Sequence, residues 1–158
     1  MSDLTGKPIP PFSLQNDQGA AVTAKDFKGR WTVLYAYPKD STPGCTTESC
    51  DFRDNLARAQ SLGAQVYGIS RDSLKSHLNF IAKQGLTFPL LSDPDCALLA
   101  PLGAFGKKVM YGKEVQGIIR STFLIDPKGV IRHVWPKVSV KGHVQEVLEV
   151  LAGLQKKA

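Results

Sequence analysis

Two cysteines set five positions apart, Cys45 and Cys50 in the segment PGCTTESC, are the side chains of this sequence best suited to covalent chemistry. The thiolate, not the thiol, is the nucleophile. Cys45 stands where a loop leaving an apolar run enters a helical pattern. Such a position offers unpaired backbone N–H groups and the positive end of a helix dipole, and both favour an ionised sulfur. The alternative is a buried structural cysteine, because free Cys is commonly buried. The local context alone leaves both readings open. Arg120 is the second candidate. It falls within the apolar run GIIRSTFLI, where a charge is costly unless paired, and that favours a functional role.

The remaining metal- or thiol-type residues point to less. Cys45 and Cys50 lack the paired short spacings of a zinc site, and His77, His133 and His143 are scattered. His77 falls in a helical pattern and His143 near a helix start, where surface or capping roles suffice; His133 reads as a strand residue. Cys96, in CALLAPLG, reads as a buried bystander. No metal, haem or flavin is implied, so no cofactor is expected.

The elements that must position Cys45 and Arg120 follow from periodicity. Residues 12–23 alternate weakly around Asn16-Asp17-Gln18-Gly19, a hairpin signal. Residues 31–37 (WTVLYAY) form a short apolar run expected of a strand buried on both faces, ended by Pro38. A helix follows with Phe52, Leu56 and Ala59 on one face, and Gly63 can stop it. Residues 64–70 (AQVYGIS) predict the next strand. Ser73 can cap a helix whose apolar stripe is Leu74, Leu78 and Ile81, closed by Gly85. Another short helix is expected within residues 93–103. Residues 117–125 and 130–135 flank the turn Asp126-Pro127-Lys128-Gly129, and a last helix carries Val144, Val147, Leu148, Leu151 and Leu154. A βαβ half with a right-handed crossover, followed by a ββα half, is the thioredoxin-like α/β arrangement: a central mixed sheet flanked by helices, with an N-terminal hairpin extension. The 158 residues are expected to form a single domain, 1–158.

Composition excludes several classes. Hydrophobic residues make up 42% and charged residues 22%, as in ordinary globular chains. No apolar run approaches the ~20 residues needed to span a bilayer, and the polar start MSDLTGKP lacks a signal-peptide core. A cytoplasmic protein without membrane association is expected. The net charge of +6 comes from scattered Lys and Arg, the densest groupings being Lys107-Lys108 and Lys156-Lys157. Neither pair is interleaved with stacking aromatics, so a solvated surface is the better reading and no nucleic-acid partner is expected. Three cysteines are too few for a secreted disulfide scaffold.

The stretch YAYPKDSTPGCTTESCDFRD contains P-x-x-x-T-x-x-C from Pro38, Thr42 and Cys45. With DFKGRWTVLY before it, and SRDSLKSHLNF, LTFPLLSD, MYGKEVQGIIRSTFLID and VSVKGHVQEVLEVL after it, the chain resembles a peroxiredoxin of the bacterioferritin-comigratory-protein (peroxiredoxin Q) subfamily over nearly its whole length. The resemblance implies a thiol peroxidase that reduces hydrogen peroxide and organic hydroperoxides. Cys45 would be the attacking sulfur. Thr42 resembles the hydroxyl that hydrogen-bonds the peroxide, Pro38 the residue that screens the pocket from water, and Arg120 the arginine whose fork serves sulfur and peroxide oxygen together. Backbone N–H groups at Gly44 and Cys45 complete the donor set, and Glu48 fits the family pattern as the holder of Arg120. Plainer roles stay open: Thr42 as a helix N-cap, Pro38 as a strand terminator, Glu48 as a first-turn acid favoured by the dipole. Ala36 and Phe105 stand where larger aromatics are usual in the family, which bears on substrate preference.

The C-x-x-x-x-C spacing is that of one branch of the family, in which the second cysteine resolves the sulfenic acid of the first; this assigns the resolving role to Cys50. Others resolve from the following helix, which here, at residues 73–84, has no cysteine. In an intact helix, Cα atoms five residues apart are roughly 8–9 Å from one another, whereas a disulfide requires less than ~7 Å. The first turn or two of the helix must therefore unwind. Thioredoxin or a similar dithiol protein is the implied reductant, and a resolving cysteine in the same chain removes any chemical need for a dimer, so a monomer is expected. A thiol–disulfide oxidoreductase of the same fold would carry C-x-x-C at the helix start, which is absent here. A non-catalytic binding module would need no Cys45–Arg120 constellation.

Overall fold

Asn16 and Gly19 close the first hairpin. In a computed structural model of the chain, which describes residues 4–156, β1 (Ser13–Asn16) and β2 (Ala21–Thr23) pair antiparallel. Asn16 Oδ1 accepts from the amides of Gln18 and Ala20, and Gly19 takes the left-handed φ of +76° that the turn requires. The polar residues 1–3 and Lys157 of the second lysine pair lie outside the described residues.

The apolar run becomes β3 (Trp31–Ala36), buried at every position. Its odd residues Trp31, Val33 and Tyr35 pack in one core cluster and its even residues Leu34 and Ala36 in another, as a strand between two covered faces must. The chain then forms α1 (Pro43–Asp54) and, after a break at Asn55, the short α2 (Leu56–Ser61), where the sequence suggests one continuous helix. β4 (Ala64–Ser70) pairs parallel with β3. Gly68 of β4 lies opposite Tyr35, and a Cβ on it would come within 2.7 Å of Leu90 and 2.9 Å of the Tyr35 phenol. The missing side chain is what lets Tyr35 lie flat beneath α1, stacked on Phe52 at 4.6 Å.

α3 (Leu74–Gln84) starts at Ser73, whose side chain accepts from the Ser76 amide, and ends at Gly85 with φ +64°. Its inward face differs from the expected stripe: Leu78 is 44% exposed, and His77 and Phe80 are buried instead. The polar partners that His77 finds inside, described below, fix this rotation. β5 (Leu90–Ser92) pairs parallel with β4 and antiparallel with β1. The short helix expected within residues 93–103 is a run of turns. The Asp93 carboxylate accepts from the amides of Ala97, Leu98 and Leu99, so the segment is organised around one side chain rather than a regular ladder.

The expected strand over residues 117–125 is divided. Its first residues belong to β7 (Lys113–Ile118), which pairs with β6 (Phe105–Met110) in a separate two-stranded hairpin; its last form β8 (Ser121–Ile125), next to β3 in the main sheet. Ile119 and Arg120 lie in the break between them. β9 (Ile131–Trp135) completes a seven-stranded sheet of order β2-β1-β5-β4-β3-β8-β9. The closing α4 (His143–Lys156) buries Val144, Val147, Leu148 and Leu151 as its periodicity predicts, with Leu154 partly buried. Parallel β3-β4-β5 with helical crossovers, then antiparallel β8-β9 and a helix, is the thioredoxin-like order, with the β1-β2 hairpin added at the β5 edge.

Candidate active site

α1 begins at the carboxyl end of β3, after a loop of residues 37–42. Pro43 occupies its first turn, where a missing N–H costs nothing. Thr42 holds the N-cap position, but its side chain does not cap: Oγ1 donates to Lys39 O at 2.9 Å. The first amide–carbonyl bond at the helix start runs from Thr46 N to Thr42 O, so the amides of Gly44 and Cys45 precede the helical ladder.

The buried residues of α1 are Cys45, Glu48, Ser49 and Phe52. Ser49 Oγ and Tyr35 Oη are hydrogen-bonded at 2.8 Å, which ties the helix to β3. Cys45 is 1% exposed and Glu48 fully enclosed. Arg120 reaches both from the β7–β8 break: Nη1 donates to Glu48 Oε1 at 2.6 Å and Nη2 to Cys45 Sγ at 3.1 Å. The charge is thus paired, but it sits at a strand break rather than within a strand. The break frees Arg120 from ladder pairing, while Val138 N–H holds its carbonyl at 2.9 Å. Gly44 adjoins the guanidinium, and a Cβ there would lie 3.2 Å from Nη2.

Glu48 therefore sits on Arg120, and Oε2 is its one buried oxygen without a partner among the described residues. Burial pushes its carboxyl up to about 7, against the opposing pull of Arg120. The positive charge of Arg120 faces the Cys45 sulfur. A cleft of about 430 Å³ opens beside this group, lined by Pro38, Ile119, Arg120, Val138 and the lysines Lys107, Lys108 and Lys137. A larger cavity of about 560 Å³, between Leu4, the turns at residues 100–103 and Phe123, is lined by neither Cys45 nor Arg120.

Cys50 is half-buried on the same unbroken helix, its Sγ 3.6 Å from Gln84 Oε1 of α3. All three cysteines are free thiols. Cys96 is buried, and burial pushes its thiol up. His77 and His143, read from the sequence as surface or capping residues, are both interior. His77 is fully buried, and His143 Nε2 meets Thr122 Oγ1 at 2.8 Å. Sequence reasoning also passed over Asp40, Tyr35 and Ser49. The one visible signal was a carboxylate in a short loop bounded by Pro38 and Pro43.

The AhpC/TSA family matches residues 5–134. A peroxiredoxin Bcp of Xanthomonas campestris is 51% identical over 141 residues, 89% of this chain and 87% of that protein. This chain is a peroxiredoxin of the AhpC/TSA family. The peroxiredoxin Bcp of Bacillus subtilis is 45% identical over 96% of this peroxiredoxin and 97% of its own length. Among solved structures, the bacterioferritin comigratory protein of Xanthomonas campestris, trapped in intermediate and ligand complexes of alkyl peroxide reduction, superposes with a TM-score of 0.85 at 48% identity, covering 90% of each chain. A Cys-to-Ser variant of Xylella fastidiosa PrxQ gives 0.91 at 41% identity, over 98% of this peroxiredoxin and 99% of that chain. The enzyme is a peroxidase of thioredoxin-like fold that acts on a hydroperoxide and draws its electrons from a thiol reductant. No described helix is long and apolar enough to cross a membrane.

Proposed function

We propose that Cys45 is the peroxidatic cysteine of this enzyme and Cys50 its resolving cysteine, both within one domain spanning residues 1–158. The observation that carries this reading is the Arg120 fork, which donates to Cys45 Sγ and to Glu48 at the start of a helix. The Cys45 thiolate attacks the terminal oxygen of ROOH. The S–O bond forms as the O–O bond breaks, leaving Cys45–SOH and RO⁻, which takes up a proton to become ROH. Arg120 and the amides of Gly44 and Cys45 stabilise the charge as it moves from sulfur to the leaving oxygen. Thr42 spends its proton on Lys39 O, which leaves its lone pairs to accept the peroxide O–H. Pro38, on the cleft wall beside Arg120, keeps water from the sulfur, and Glu48 holds the guanidinium in place.

Cys50 then condenses with Cys45–SOH, forming the disulfide and releasing water. Thioredoxin or a similar dithiol protein exchanges with that disulfide and restores both thiols. Hydrogen peroxide and organic hydroperoxides are both substrates, without any metal or organic cofactor. The enzyme works as a cytoplasmic monomer, because resolution within one chain needs no second subunit, and neither a membrane nor nucleic acid takes part.

Intact mass and thiol counting after one equivalent of hydrogen peroxide test the cycle. The expected result is loss of two hydrogens and two thiols, mapped to a Cys45–Cys50 peptide. One oxygen added at Cys45 would remove Cys50 as resolver. No rapid change at Cys45 would overturn the assignment altogether.

A further inference from the structure

Five residues before Cys45, the loop drives a carboxylate into the interior. Asp40 is buried, and three donors converge on it. Tyr37 Oη donates to Oδ1 at 2.6 Å, Ser76 Oγ donates to Oδ2 at 2.8 Å, and His77 Nδ1 lies 2.7 Å from the same Oδ2. The other ring nitrogen of His77, Nε2, is 3.0 Å from Leu91 O. A carbonyl only accepts, so Nε2 is the donor to Leu91 O, and the short Nδ1–Oδ2 contact ties the ring to the Asp40 carboxyl.

The main chain is tied as well. The Asp40 amide donates to Asp72 Oδ2 at 2.8 Å, an oxygen that Ser70 Oγ also reaches at 2.7 Å. Donor atoms of Asp40, Asp72 and His77 lie within 4.8 Å of one another, and those three residues are already committed to hydrogen bonds. One loop residue is thus fastened to the ends of β3 and β4 and, through His77, to α3 and β5. The residue after it, Ser41, has φ +64°, a left-handed conformation that costs a non-glycine residue energy. Thr42, Pro43, Gly44 and Cys45 follow directly. None of these bonds reaches Cys45, Glu48 or Arg120.

We propose that His77 is a positioning residue of the peroxidase cycle: through Asp40 it latches the loop that precedes Cys45 and so holds the first turn of α1 closed. The inference rests on the Cys45–Cys50 cycle proposed above. The two halves of that cycle make opposite demands. Attack on peroxide needs the first turn closed, with Arg120 and the helix-start amides on the sulfur. Condensation with Cys50 needs that turn open. A latch that favours the closed turn speeds the first step and slows the second.

The test compares His77→Asn and Ser76→Ala with the wild type in the full chain. Rapid mixing with hydrogen peroxide gives the rate of Cys45 oxidation, and quenched samples give the rate of disulfide formation. In His77→Asn the first rate is expected to fall and the second to rise, each by about tenfold, the equivalent of one hydrogen bond to a charged group. Ser76→Ala removes one donor to Asp40 and keeps His77. It is expected to move both rates in the same directions by a smaller factor, and it carries the test if His77→Asn does not fold. Ile131→Ala, a core truncation in β9, controls for loss of stability and is expected to change neither rate. Unchanged rates in both latch variants, a parallel fall of both rates, or the same pattern in Ile131→Ala would each overturn the latch. Absence of a Cys45–Cys50 bond in the wild type would instead bring down the cycle beneath it, a failure visible in the wild-type samples alone.

Discussion

Arg120 serves a carboxyl and a sulfur with one side chain, and this depends on the shape of guanidinium as much as on its charge. Nη1 is committed to Glu48 and Nη2 to Cys45, so the fork is oriented by one partner while it serves the other. Lysine carries the same charge as a compact point on a flexible stem and cannot span both sites. Arg120→Lys is therefore expected to lower the second-order rate constant with hydrogen peroxide by about a hundredfold, the scale of losing one preorganised donor at a developing anion. Stopped-flow measurement at neutral pH checks this. A loss below about threefold would mean that position, and not the fork, is what the reaction uses.

At the scale of one element, α1 is unusual in what it buries. Its inward stripe is a thiol, a carboxylate, a hydroxyl and one phenyl ring, Phe52. A single large apolar side chain contributes about 1.5–3 kcal/mol, so the first turns are held mainly by polar contacts: Ser49 to Tyr35, Glu48 to Arg120, and the loop anchored at Asp40. Such a helix can open locally without disturbing the aliphatic core under α4. Oxidation to the Cys45–Cys50 disulfide is expected to remove hydrogen-exchange protection from amides 46–50 while leaving β3 and α4 as protected as in the dithiol form. Equal protection of α1 in both forms would contradict the unwinding that helix geometry demands.

Over the whole molecule, two buried ionisable groups tilt stability in opposite directions with pH. Burial lowers His143 from 6.5 to about 4, so the unfolded chain takes up the proton first and stability falls as pH drops from 6.5 towards 4. Burial raises Glu48 from 4.5 to about 7, so the folded chain keeps its proton longer. That contribution is complete below 4.5 and is lost as pH rises through 7. Urea unfolding of the reduced protein across this range should show His143→Gln flattening the acid-side fall and Glu48→Gln flattening the fall towards alkaline pH. Wild-type slopes in both variants would show that neither group carries the dependence.

The sequence by itself determined the succession of a βαβ half and a ββα half, the covered faces of β3, the stripe of α4, and the motif from Pro38 to Cys50. These are local facts, set by side-chain period, turn residues and short-range spacing. Only the tertiary structure decided what depends on partners distant in the chain. Arg120 read as a charge inside one strand because a hydrophobic run does not record where its strand changes partner, from β6 to β3. His77 looked like a surface residue because its acceptors, Asp40 and Leu91, lie 37 and 14 positions away. For the same reason Leu78, apolar and correctly spaced, faces solvent. A polar residue goes inside when the fold brings its hydrogen-bonding partners to it, and no window of sequence short enough to show a period contains them.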